Sequence, residues 1–235
     1  MPDHTVKAFT EELDALSNEI ARMGGLVETA VNDSIAAVVR RDTQLAQSVI
    51  ERDVKIDAAQ RDAERRAIKL FALRQPFASD LRVVLTGWRI AGELERVGDL
   101  AKNIAKRALI LNQSEPIQLT KSIDRMGKLA VAHLKQVLDA YSTRDVQTAV
   151  SVWFQDEDVD AHYNSLFREL LTYMMEDPRN ISFCIHLMFC AKNIERIGDH
   201  ATNIAETVFY MIEGQQMVNK RPKADMTDLA ATVPD

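Results

Sequence analysis

This 235-residue chain predicts an all-α fold of two tandem three-helix bundles related by internal duplication, on three observations. Breakers are scarce, with 8 Gly and 6 Pro, while Ala, Leu, Ile, Glu, Arg and Lys abound, a composition that favours helix. Apolar residues recur at helical spacing along both halves. The segment Ala91-Gly-Glu-Leu-Glu95-Arg-Val-Gly-Asp99-Leu-Ala-Lys-Asn103-Ile-Ala105 returns 100 positions later as Ala191-Lys-Asn-Ile-Glu195-Arg-Ile-Gly-Asp199-His-Ala-Thr-Asn203-Ile-Ala205, with nine of fifteen positions identical. A repeat of this kind sets the architecture before any single helix is considered.

The helices follow in order. Residues 8–41 carry an apolar stripe (Phe9, Leu13, Leu16, Ile20, Met23, Val27, Val31, Ile35, Val38), with Gly24 and Gly25 as a possible kink. Residues 43–73 continue the period, and Pro76 in the turn 74–80 ends that helix. A third helix spans 80–112 and stops at the break Asn112-Gln-Ser-Glu-Pro116. The second half repeats the plan with helices over 117–142, 144–175 and 180–213, a turn at Glu176-Asp177-Pro178, and Gly214 as the final stop. The units are therefore 1–113 and 114–214, followed by a polar tail, 215–235, expected to be mobile.

Charge and composition exclude several classes. A net charge of −6 and a pI near 5.5 argue against nucleic acid and against an anionic lipid surface. No apolar run approaches the roughly 18 residues of a membrane span. The polar, acidic N-terminus does not read as a signal peptide, so the cytoplasm is the expected compartment. Cys184 and Cys190 lie six apart in an apolar stretch and read as buried free thiols. No G-x-S-x-G, P-loop or Cys/His dyad is present, and the chain is not expected to be an enzyme.

The candidate chemistry lies in acidic pairs four residues apart, which share a helix face. They are Asp53/Asp57 and Glu95/Asp99 in the first half, and Asp156/Asp160 and Glu195/Asp199 in the second. Asn103 and Asn203 extend the later pairs by one turn and join the eight acids as candidate metal ligands. If each half folds as a hairpin, Asp53 with Asp99 and Asp57 with Glu95 are both centred on Pro76. Likewise Asp156 with Asp199 and Asp160 with Glu195 are both centred on the Asp177-Pro178 turn. Each quartet thus meets at one level, roughly 25–30 Å from its turn at 1.5 Å per residue. Small residues every seven positions (Ala91, Gly98, Ala105 and Ala191, Gly198, Ala205) let the facing helix approach. Two carboxylates about 4 Å apart repel by roughly 4 kcal/mol at an effective dielectric near 20. Something must neutralise them, and all-oxygen ligands suit Mg, Ca, Mn or Fe. The plainer alternative is solvated faces paired with Arg52, Lys55, Arg96 or Arg196.

These motifs resemble the duplicated E/D-x-x-x-D signature of the PhoU family. The turn Arg74-Gln-Pro-Phe-Ala-Ser-Asp80-Leu-Arg82 is similar to that family's first-half turn, and the likeness runs from about residue 8 to Gly214. The resemblance implies a cytoplasmic, dimer-forming protein with multinuclear iron or zinc on these helices. It implies a repressor of the phosphate-starvation response and of phosphate uptake. Its implied place is between the ATPase subunit of the phosphate ABC transporter and the sensor histidine kinase. Departures from the repeat are Leu100 against His200 and Lys106 against Glu206, so the two sites are expected to differ. His200 is either an added nitrogen ligand or a surface or partly buried side chain; His133, His162 and His186 read as packing or surface residues.

Two other readings compete. A di-iron oxidase or ferritin-like protein needs Glu-x-x-His on two helices, and none of the five histidines has Glu three positions before it. A plain helical scaffold with empty acidic sites is the other.

Overall fold

The computed structural model describes residues 2–74, 76–114 and 119–217, with side chains from Phe9 onward. Its helices are α1 (Pro2–Val39), α2 (Thr43–Arg74), α3 (Ala78–Leu111), α4 (Thr120–Thr143), α5 (Val146–Phe154), α6 (Asp156–Glu176) and α7 (Ile181–Glu213). One turn of 3-10 helix, Pro178–Asn180, precedes α7. Among the described residues there is no strand, and no helix is long and apolar enough to cross a membrane.

The ends have local causes. Helix α2 stops two residues before Pro76, because the residue preceding a proline disfavours the helical backbone. The turn is tied down where Arg74 donates to Glu12 of α1 from Nε and Nη2, at 3.1 and 3.2 Å. In the second half α6 stops at Glu176, and the Asp177 carboxylate accepts from the Arg179 backbone N–H at 3.0 Å. Gly214 ends α7 in the left-handed conformation (φ 73°), its N–H bonded to Tyr210 O at 2.9 Å, the usual glycine stop.

Two expectations are corrected. Helix α1 runs through Gly24 and Gly25 without a break. Gly24 instead seats α1 on α4, since a Cβ there would lie 2.8 Å from Leu138 Cδ1. The single helix expected over 144–175 is two, interrupted at Gln155 (ψ 0°). The restart places Asp156, Glu157 and Asp158 in the first turn of α6, where exposed N–H groups and the helix dipole favour acids. The expected helix start at Ile117 and most of the tail expectation (218–235) lie outside the described residues.

Helices α3 and α7 form the centre. Helix α3 packs on α1, α2 and α7; α7 packs on α3, α4, α5 and α6. Their contacts run in opposite directions along the chain, from Arg89 with Tyr210 through Glu93 with Asn203 to Arg107 with Phe189. The two helices are therefore antiparallel, and the duplication relates their seam by an approximate twofold. Ile90, Leu94, Ile104, Ile194 and Ile204 are fully buried there, as are both cysteines, which are free thiols. Burial pushes the Cys190 thiol up to about 12, which makes it inert at neutral pH. The small-residue rows face the hairpin partners: a Cβ on Gly98 would sit 3.0 Å from Ile56 Cγ2, and one on Gly198 3.5 Å from Val159 Cγ1.

Gly98→Val should push α2 off α3 and cost about 1–3 kcal/mol, the usual range for overpacking. Gly25→Ala meets no atom within 4 Å and should instead stabilise by about 1 kcal/mol through helix propensity. Thermal melts of the two variants should move in opposite directions, by about 2–4 °C per kcal/mol at this chain length.

Candidate metal centre

Each carboxylate pair sits where its helix meets its hairpin partner. In the first half Asp53 on α2 is buried, and Asp57, Glu95 and Asp99 are half-buried. Burial raises the Glu95 carboxyl above its ordinary value, and the charges of Asp99, Asp57 and Asp53 push it the same way. The Arg96 charge opposes that rise, and a second cation stands among them, Lys102, which sequence reasoning missed. Its ammonium donates to Asp53 Oδ2 at 2.5 Å and stands 4.0 Å from Asp99. The Asp53 hydrogen bond raises the Lys102 pKa, aided by the charges of Asp53, Asp99 and Asp57.

The second quartet is more enclosed. Asp156, Asp160 and Glu195 are all buried, and Asp199 is half-buried. At the position matching Lys102 stands Thr202, whose hydroxyl donates to Asp156 Oδ1 at 3.0 Å. The cation comes from elsewhere: Lys192 donates to Glu195 Oε1 at 2.8 Å, where the first half has Gly92. Burial pulls the Lys192 ammonium down, but the Glu195 hydrogen bond and the charges of Glu195 and Asp199 leave it raised overall. The interruption at Gln155 lies one residue before Asp156, and Trp153 just ahead of it donates its indole N–H to Glu206 Oε1 at 2.9 Å.

Other expected residues fall elsewhere. Asn203 donates to Glu93 Oε2 at 3.1 Å, across the α3–α7 seam, and Asn103 lines a hollow on the same seam. His200 Nδ1 is 2.6 Å from the same Glu93 oxygen. Burial opposes ionisation of Glu93, yet the His200 and Asn203 hydrogen bonds hold its carboxyl below the ordinary range. Of the cations expected to pair with the quartets, Arg52 binds Asp33 of α1 at 2.6 Å, and Arg96 lies 3.7 Å from Glu95 at an exposed edge. As the side chains stand, no group of three or more His, Cys, Asp or Glu among the described residues is set to hold an ion. Lys102 and Lys192 were legible only as i, i+3 neighbours of Asp99 and Glu195, a spacing that puts side chains on one face.

A family model described as the PhoU domain matches twice, over residues 20–108 and 123–208. The chain is 56% identical over 227 residues to the phosphate-specific transport system accessory protein PhoU homolog of Caulobacter vibrioides (strain NA1000 / CB15N), covering 96% of this chain and 99% of that one. It is 38% identical over 212 residues to the phosphate-specific transport system accessory protein PhoU of Escherichia coli (strain K12), covering 90% and 88%. The crystal structure of PhoU from Pseudomonas aeruginosa superposes with a TM-score of 0.86 at 39% identity, over 88% of this chain and 100% of that one. The phosphate transport system regulatory protein PhoU from Streptococcus pneumoniae superposes at 0.83 and 28% identity, over 90% and 100%.

Glu95 offers a test of the crowding. Its folded pKa lies above the ordinary 4.5, so the native state holds this proton more tightly than the unfolded chain. Stability therefore falls as pH rises from 4.5 through the folded value. Glu95→Gln removes that loss. In the presence of chelator, its melting temperature should exceed the parent's at pH 7, and the gap should narrow as pH is lowered toward 4.5. A lower midpoint at pH 7 would show that the quartet is not under charge strain.

Proposed function

This chain belongs to the PhoU family, and from that premise we propose that it is a metal-binding negative regulator of the phosphate-starvation response and of phosphate uptake. It acts in the cytoplasm as a homodimeric adaptor between the ATPase subunit of the phosphate ABC transporter and the phosphate sensor histidine kinase. The observation that carries the reading is the pair of carboxylate quartets on facing helices, set in a fold shared with transport accessory and regulatory proteins.

The donor chemistry fits metal. Asp53, Asp57, Glu95 and Asp99 would hold ions in the first half, and Asp156, Asp160, Glu195 and Asp199 in the second. Carboxylates bridge, so multinuclear iron or zinc is the proposed occupant, with Mg, Mn and Ca the other oxygen-loving cations. When bound, the metal supplies positive charge that clamps α2 to α3 and α6 to α7. Lys102 on α3 does part of that work by bonding Asp53 on α2, while Lys192 pairs with Glu195 on its own helix. Their side chains are 28% and 45% exposed, so either ammonium has a path to solvent when a cation enters. No side chain is assigned covalent chemistry; the protein works by holding a surface in shape.

The same two lysines favour a second reading, a helical scaffold whose acids are neutralised internally and need no metal. Elemental analysis of protein purified without chelator separates the two. In the metal-binding reading, Glu95→Ala with Asp99→Ala lowers metal content by about half, leaves the second site loaded, and lowers the melting temperature, because bound ions stabilise only the folded state. Equal metal in variant and parent rejects the first quartet as a site. For the regulatory role, deletion should derepress a phosphate-starvation reporter in phosphate-rich medium, and the protein should retain the transporter ATPase and the kinase in pull-downs. Normal repression in the deletion strain defeats the adaptor reading.

A further inference from the structure

The duplication creates two hollows on the α3–α7 seam, and they have diverged in charge. One, of about 420 Å³, is lined by Asn103, Lys106, Arg107, Ile110, Phe189 and Asn193. Stepping 100 positions turns that set into Asn203, Glu206, Thr207, Tyr210, Arg89 and Glu93. The second hollow, of about 230 Å³, is lined by four of these, Arg89, Glu206, Thr207 and Tyr210. The same place in the fold is therefore used twice.

In the second hollow the acids are held by neighbouring donors, and the one cation lies over a ring. Glu206 accepts from the Trp153 indole, Glu93 is bound by His200 and Asn203, and Arg89 lies 5.9 Å from the Tyr210 ring centroid. In the first, the acids are replaced: Lys106 for Glu206, Asn193 for Glu93, and Arg107 for Thr207. No Asp or Glu among the described residues lies within ion-pair distance of Lys106 or Arg107.

Arg107 is nonetheless held in place. Its guanidinium carbon lies 4.6 Å from the centre of the Phe189 ring, and Nη1 is 3.1 Å from His186 Nδ1. Burial and the Arg107 charge both hold His186 toward its neutral form, so Nδ1 accepts from Nη1 without cancelling the positive charge. An arginine fixed by an aromatic face and a neutral acceptor keeps its other N–H groups as a planar fork. Lys106 on the same helix adds a second positive charge. Asn103 on α3 and Asn193 on α7 bring amide groups from both walls.

We propose that this hollow binds a phosphate-type oxyanion, held by Arg107 and Lys106 with the amides of Asn103 and Asn193 as further donors. Two cations and two amides on opposing helices suit a tetrahedral, multiply charged group better than a planar carboxylate, which a single fork would satisfy. The hollow has room for a free ion or for a phosphoryl group carried on another molecule; the chemistry recognised is the same. None of the quartet carboxylates lines this hollow.

The test is calorimetric titration of the full-length protein with inorganic phosphate and, separately, with O-phospho-L-serine. The variants are Lys106→Gln with Arg107→Gln, Arg107→Lys alone, and Glu206→Gln in the other hollow as control. Saturable binding of either probe is expected. The double variant should weaken it by at least ~10-fold and Arg107→Lys by several-fold, since a point charge lacks the fork. Glu206→Gln should leave it unchanged. Tighter binding of inorganic phosphate identifies the free ion as the source, and tighter binding of phosphoserine identifies a phosphorylated partner; either supports the site. If the double variant melts early, Arg107→Lys decides. Binding of neither probe, or binding that survives the loss of both cations, overturns the proposal.

Discussion

Burying acids at matched levels of a helical hairpin obliges positive charge to sit among them, and the rest of this structure is arranged around that demand. Asp53, Asp156, Asp160 and Glu195 are nearly out of contact with water. An uncompensated buried carboxylate costs several kcal/mol, which a protein with ordinary net stability of 5–15 kcal/mol does not absorb repeatedly. The small residues at Gly98 and Gly198 sharpen the demand by drawing the partner helix close. Close approach improves packing and crowds the charges together.

The two halves meet the demand differently. In the first, one lysine on α3 serves the Asp53 carboxylate directly. In the second, the matching position is a threonine, and the lysine has moved ten positions toward the N-terminus of α7 to serve Glu195. The divergence is coordinated. A lysine at 202 together with Lys192 would bring two cations to an enclosed site. A threonine hydroxyl bonds Asp156 without adding charge.

Much of the fold was legible because helical periodicity is read directly from apolar spacing, and because Pro76, Pro178 and Gly214 punctuate it where backbone geometry requires. The hairpin levels followed from numbering alone. The break at Gln155 was not legible, since residues on both sides carry the same period and no Gly or Pro marks it. The counter-ions were missed for a related reason. Periodicity says which face is buried, but long side chains at the edge of a stripe choose partners by reach, and Arg52 turns to Asp33 while Lys102 turns inward. The seam between α3 and α7 was invisible because it joins residues roughly 80 to 120 apart, and only the folded chain places Glu93 beside Asn203.

Duplication makes such divergence inexpensive. Helices α3 and α7 each present one side to a hairpin partner and another to each other, so a substitution on the seam leaves the carboxylate side untouched. Exchanging Glu206 for Lys106 and Glu93 for Asn193 reverses the character of a hollow while the buried packing residues between them (Ile104 and Ile204, Ala105 and Ala205) stay the same. On the acidic side the charges close on one another: His200 and Asn203 reach Glu93 and tie the halves together. On the basic side the structure spends an aromatic ring and a neutral imidazole on holding an arginine still without neutralising it. A surface arginine with no role gains little from such support, because its flexible stem would sample water freely. Fixing the guanidinium while leaving its charge unanswered raises its attraction for an incoming anion and lowers the entropy lost on binding it.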